Sequence, residues 1–152
     1  MNILKILTPQ RQIGNFGEKE AVKYLRKRGY RILEKNYTID GAEIDIIARR
    51  KGITVFIEVK TRNVKHLGYY EARPASSVTP EKQRKIIRAA NHYITRHPTD
   101  DRLRLDIIEV YICDTDKKIK TKEIKHIEAA FSKDTAYDSK YYYQRKKEGS
   151  NL

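Results

Sequence analysis

The chain has 152 residues, with 33 Lys and Arg against 20 Asp and Glu, a net charge of +13 at pH 7 and an isoelectric point near 9.8. That length suits one ordinary domain, and a mean hydropathy of −0.77 excludes a chain built of membrane-spanning helices. Its single cysteine, Cys113, excludes an internal disulfide framework or a thiolate zinc site.

Residues 15–28 read as a helix: Ala21, Val22 and Leu25 recur on one stripe, with Lys19, Lys23, Arg26 and Lys27 opposite, and Gly29 as the stop. Glu18 is the anomaly, a carboxylate on the apolar stripe. Residues 30–37, 43–48 and 53–62 read as strands, the last two joined through a polar turn at 49–52 into a hairpin. Residues 63–78 form a long connection containing Gly68, Pro74 and the pair Tyr69-Tyr70. Thr79-Pro80-Glu81 then opens a second helix with a Thr cap, Pro at the first helical position and an acid in the first turn. Its apolar stripe is Ile86, Ile87, Ala90, Tyr93 and Ile94, and Pro98 lies beyond its end. Residues 103–112 make a fourth strand and 122–127 a short last one; 132–152 read as a flexible, basic, Tyr-rich tail. The expected fold is α/β, an α-β-β-β-α-β core with a mixed sheet flanked by helices, forming one domain over residues 1–131.

The chemistry gathers on the hairpin. In Val55-Phe56-Ile57-Glu58-Val59-Lys60 the odd positions are apolar, so Phe56, Glu58 and Lys60 share the other face. With Ala48 set opposite Ile53, Asp45 faces Phe56, Glu43 faces Glu58, and Asp45 and Glu58 become diagonal neighbours on one face. A one-residue slip would separate them. Ile44 and Ile46 are expected on the side of Val55, Ile57 and Val59. Two carboxylates converging in a covered place repel each other, and a hard cation such as Mg²⁺ removes the cost. Lys60 beside such an ion can stabilise developing negative charge, and together the parts suit phosphodiester hydrolysis. An isolated Glu-x-Lys on a solvated strand face is commonplace and weak. Asp45, the misplaced Glu18 and the basic chain favour the functional reading.

These residues resemble the YraN-like family of small bacterial proteins within the PD-(D/E)XK nuclease superfamily, related in fold to archaeal Holliday-junction resolvases. The resemblance runs from Gly14 to Phe131. It rests on Gly14-x-x-Gly17-Glu18-x-x-Ala21, Asn36-Tyr37, Glu43-Ile44-Asp45-Ile46-Ile47-Ala48 and Phe56-Ile57-Glu58-Val59-Lys60-Thr61-Arg62. Gly68, Lys82, Arg104-Leu105-Asp106 and Ala130-Phe131 complete it. Ala42 stands where the family usually carries Gly, and Leu105 where it carries Phe. The resemblance implies a restriction-endonuclease-like core and a Mg²⁺- or Mn²⁺-dependent endonuclease acting on structured or branched DNA. It makes Asp45 and Glu58 metal-binding acids, Lys60 the catalytic lysine, Glu18 a further metal ligand and Gln83 a polar residue facing the site. A helix-surface amide reads equally well for Gln83.

Arg62, Lys82, Arg84 and Lys85 are expected to line a phosphate track; Arg88 reads better as a solvated residue. Tyr69 and Tyr70 read either as base-stacking residues or as loop packing. Asp106 reads as a structural partner of Arg104. His92 and His97 have the wrong spacing for one helix face, so no zinc site is assigned. The expected partner is nucleic acid, DNA foremost, with no membrane, a cytoplasmic setting and, by analogy with resolvases, a homodimer. The segment 1–10 is not expected to be a secretory signal, because Lys5 interrupts its apolar patch. The alternative is a nucleic-acid-binding module that keeps the fold with little or no cleavage.

Overall fold

Helix α1 (Pro9–Lys27) begins ahead of the expected residue 15. Ile13 and Phe16 extend the packed stripe backwards. This computed structural model describes residues 9–64, 78–115, 118–133 and 136. After α1 come β1 (Arg31–Ile39), β2 (Ala42–Arg50), β3 (Ile53–Asn63), α2 (Pro80–Arg96), β4 (Arg102–Thr115) and β5 (Lys118–Ile127). Tyr69, Tyr70 and the Tyr141–Tyr143 run lie outside the described residues, as does most of the expected tail.

The five strands form one mixed sheet in the order β1-β2-β3-β4-β5. Only β3 and β4 run parallel, because α2 carries the chain back between them; the other pairs are antiparallel. The element order matches the α-β-β-β-α-β expectation and that of a restriction-endonuclease-like core. The last strand is longer than expected. Exposed Lys118, Lys120 and Lys122 alternate with inward Ile119 and half-buried Thr121, and the lysines mask the strand in a composition-led reading. No helix among the described residues is long and apolar enough to cross a membrane.

The sheet is covered on both faces. Ala21, Val22 and Leu25 of α1 pack on Ile46, Ala48, Val55, Ile57, Ile108 and Val110. Ile86, Ala89, Ala90 and Tyr93 of α2 pack on Ile47, Phe56 and Ile107 from the other side. Phe131 and Ala136 are buried in this second cluster, so packing continues past residue 131. Between the layers, fully buried Asp106 accepts from Arg104 (2.8 and 2.9 Å), His126 Nε2 (2.8 Å) and the Ala129 amide (3.0 Å). Burial works against that carboxylate, but these donors outweigh it and hold its pKa below the ordinary value. Asp106 is thus structural.

Two details of β2 correct the sequence reading. The hairpin turn is Lys51-Gly52 rather than four residues, both with positive φ (47° and 71°), as a tight two-residue hairpin requires. Ala48 therefore pairs with Val55, not Ile53, and the register moves by two residues. Continued by one pair beyond Ile46–Ile57, this register sets Asp45 across from Glu58 rather than diagonal to it. Glu43 accordingly does not face Glu58. The second correction concerns Ile44, which packs in the α2-side cluster while Ile46 packs in the α1-side cluster. Residues two apart in a regular strand share a face. The paired ladder with β3 ends at Ile46, so β2 turns over around Asp45 while staying paired with β1.

Gly17 brings α1 onto the far end of β3. A Cβ there would run into Thr61 Oγ1 and lie 3.0–3.1 Å from Thr61 Cβ and Cγ2. Gly17→Ala is expected to cost about 1–3 kcal/mol through overpacking. Thr61→Ala, which removes Oγ1 and Cγ2 but keeps Cβ, should restore part of the loss in the double variant. Thermal melts of the four proteins check this; a neutral single substitution would refute the close approach.

Candidate active site

The site forms where β2 parts from β3. There the Val59 N–H, which would otherwise meet a β2 carbonyl, donates to Asp45 Oδ2 at 2.7 Å. Asp45 is thereby tied beside Glu58, which is only 4 % exposed. The two carboxyl groups are in hydrogen-bond contact, an arrangement that holds only if one of them keeps a proton. Burial, and after it the charge of Glu58, push Asp45 up to about 8, against the pull of the Val59 amide. Glu18 of α1 is raised as well, first by burial and then by Glu43, with a smaller push from Glu58. Four acids from three elements therefore lie within electrostatic reach.

Two lysines answer Glu58. Lys82 Nζ lies 2.6 Å from Glu58 Oε1 and Lys60 Nζ 3.4 Å from the same atom. Lys82 sits in the first turn of α2, where Thr79 caps the helix by accepting from the Lys82 amide (3.2 Å). Burial opposes the Lys82 charge, but the hydrogen bond to Glu58 and the nearby Asp45 and Glu43 outweigh it and raise its pKa. Asn36, in the left-handed region at φ 53°, completes the wall. With its amide oriented to suit both ends, its nitrogen donates to Glu18 Oε2 (3.2 Å) and Glu43 Oε1 (3.3 Å).

The structure thus brings together Asp45, Glu58, Lys60 and Lys82, with Glu18 at the margin. Lys82, expected on a phosphate track, is instead a partner of Glu58. Gln83 donates to the Val78 carbonyl (2.9 Å), and its Oε1 is buried without a partner among the described residues. Arg84 donates to the Ala136 carbonyl (2.9 Å), and Arg88 to the Asp40 carbonyl (3.2 Å). Lys85 is exposed beside Lys82 and Glu43, while half-buried Arg62 lies close to Tyr111. On β4, buried Glu109 falls in register with Lys60 and accepts from Tyr111 Oη at 2.8 Å. Burial and Glu109 push that phenol up to about 12.

The sequence reading missed Asn36, Glu43 and Glu109 as site members. The available signal for Asn36 was an Asn one strand before an acidic strand. Nothing marked Glu109.

Among the described residues, no group of three or more His, Cys, Asp or Glu is gathered closely enough to hold a metal ion. The acid nucleus is the pair, and its oxygen donors suit a hard divalent ion that keeps water and phosphate as other ligands.

The model of the uncharacterised protein family UPF0102 matches residues 17–110, more than half of the chain. The chain belongs to the UPF0102 family. Members include a UPF0102 protein of Chlorobaculum parvum, 46 % identical over 123 residues, covering 78 % of this chain and 91 % of that one. The UPF0102 proteins of Flavobacterium psychrophilum and Clostridioides difficile are 42 % and 43 % identical over 119 residues. Each alignment covers 78 % of this chain, with 92 % and 95 % of the respective relatives. This is the YraN-like family that the Glu-Ile-Asp and Glu-Val-Lys-Thr-Arg blocks suggest. The UPF0102 match spans Glu18, Asn36, Asp45, Glu58, Lys60 and Lys82 together.

Proposed function

We propose that this UPF0102 protein is a metal-dependent nuclease that hydrolyses phosphodiester bonds in structured or branched DNA, with Mg²⁺ or Mn²⁺ held by Asp45 and Glu58. One observation carries the reading: half-buried Asp45, pushed up to about 8, is held beside buried Glu58, a pairing that a divalent cation would relieve. Bound there, such an ion supplies Lewis acidity toward a phosphate and lowers the pKa of a bound water. Lys60 holds a fixed positive charge beside Glu58, where negative charge grows on a phosphate oxygen. Lys82, 2.6 Å from Glu58, would be placed to bind the same phosphate. Gln83 acts at one remove by fixing the Val78 carbonyl at the start of α2. Glu18 and Asn36 supply outer contacts that orient the acids. A cytoplasmic setting, where free Cys113 stays reduced, and a homodimer matching the two-fold symmetry of a four-way junction belong to the same proposal.

The test is cleavage of labelled branched and single-stranded DNA with Mg²⁺ or Mn²⁺. Lys60→Ala should lower the rate by about 10²–10³-fold, as loss of a transition-state charge contact does. Lys118→Ala, on the exposed end of β5, should cut like wild type. Equal activity of wild type and Lys60→Ala rejects the assignment.

A second reading is favoured by the Lys82–Glu58 contact, which already neutralises one acid. In that reading the protein is a nucleic-acid-binding module with little cleavage. Salt-sensitive binding indifferent to metal, without products, would support it.

A further inference from the structure

The acid site has a second approach, rimmed by cations that the nuclease reading does not use. A cavity of about 400 Å³ opens between α1 and β1. Lys19, Lys23 and Arg26 form one wall, Lys35 stands on the other, and Glu18 and Asp45 lie at its floor. Lys19, Lys23 and Arg26 occupy positions i, i+4 and i+7, one face of the helix. At 1.5 Å per residue, Lys19 and Arg26 stand about 10 Å apart along the axis, far enough to meet separate phosphates of one strand. All four cations are exposed. Lys23 shares only a surface contact of 3.3 Å with Glu20, and Lys19, Arg26 and Lys35 make no ion pair with another described residue.

Surface lysines on a helix are ordinarily a solvated face. Here a facing Lys35 closes the opposite side, so like charges converge on one groove. Glu18 at the floor offsets part of the Lys35 charge, and the cations of the rim remain exposed to an anion arriving from solvent. A row of anions at strand spacing fits the wall, and the floor leads directly to Asp45. On the α2 side, by contrast, Lys82 and Arg84 are engaged with Glu58 and the Ala136 carbonyl.

We infer that the groove between α1 and β1 is the track on which the phosphodiester backbone of a nucleic acid strand lies as it approaches Asp45. The direction toward Asp45 rests on the nuclease reading; the binding itself does not.

The experiment uses the full-length Asp45→Asn protein and a fluorescent branched DNA, with binding followed by anisotropy between about 50 and 200 mM salt. In that background Lys19→Glu with Arg26→Glu should weaken binding at least about tenfold at the low-salt end. The slope of log affinity against log salt should shrink by about two, one unit per lost phosphate contact. Lys35→Glu, from the other wall, should shrink it by about one. The control, Lys118→Glu with Lys120→Glu on β5, makes the same change in net charge and should weaken binding less than about threefold. Groove variants that bind like their parent overturn the track, as does a control that loses as much as they do. Wild-type cleavage measured alongside separates the two proposals. No cleavage with groove-dependent binding sinks the nuclease reading alone; cleavage with groove-independent binding sinks the track alone.

Discussion

Asp45→Asn is expected to abolish metal-dependent cleavage and, in the same protein, to raise stability at alkaline pH when no divalent ion is present. The amide keeps an acceptor for the Val59 N–H but carries no charge toward Glu58. In the wild type the Asp45 carboxyl moves from 3.8 in the unfolded chain to about 8 in the folded one. Between those values the folded state binds more protons than the unfolded state, so stability falls as pH rises through that window. Raised Glu18 works in the same direction. Melting temperatures in EDTA at pH 5 and pH 9 should therefore diverge, the wild type losing several degrees relative to the variant. Adding Mn²⁺ at pH 9 should recover the wild type and leave the variant unmoved, because a ligand stabilises only the state that binds it. Parallel pH curves for the two proteins would show that Asp45 bears no burden in the free site. Activity would then have lost its electrostatic rationale.

Replacing Lys82 by Met tests the other half of the site. Glu58 is 4 % exposed and Lys82 is its nearest cation, at 2.6 Å against 3.4 Å for Lys60. Breaking a buried ion pair on one side costs about 3–5 kcal/mol, but the Lys82 side chain is 45 % exposed, so about 1–2 kcal/mol is the better expectation. At about 2–4 °C per kcal/mol for a chain of this size, the metal-free protein should melt several degrees lower. Mn²⁺ binding should tighten by about tenfold, equivalent to about 1.4 kcal/mol, since no ammonium group competes for Glu58. Adding Glu58→Gln to Lys82→Met should return much of the stability, because both charges are then gone. Titration calorimetry and melts of the four proteins supply the cycle. A neutral Lys82→Met with unchanged Mn²⁺ affinity would reduce the contact to a surface pair of no consequence.

The hairpin shows how far local pattern reaches. The sequence reading placed Ala48 across from Ile53, and the true partner is Val55. Asp45 and Glu58 were nevertheless put on one face, because a slip of two residues leaves strand parity unchanged. The Thr79-Pro80-Glu81 opening likewise marked the start of α2 correctly, since a cap satisfies its own helix and needs no distant partner. Ile44 shows the limit. Alternation put it with Ile46, but the departure of β2 from β3 turned it to the other layer.

Charge, the strand-helix order and the face shared by Glu58 and Lys60 were thus written in the chain itself, since each follows from composition or from a local period. That Lys82 answers Glu58, that Asn36 bridges Glu18 and Glu43, and that α1 cations converge with Lys35 were decided only by the tertiary structure. Those meetings depend on where the α2 crossover lands, where two strands separate and how closely Gly17 lets α1 approach. No periodicity within one element encodes such distances.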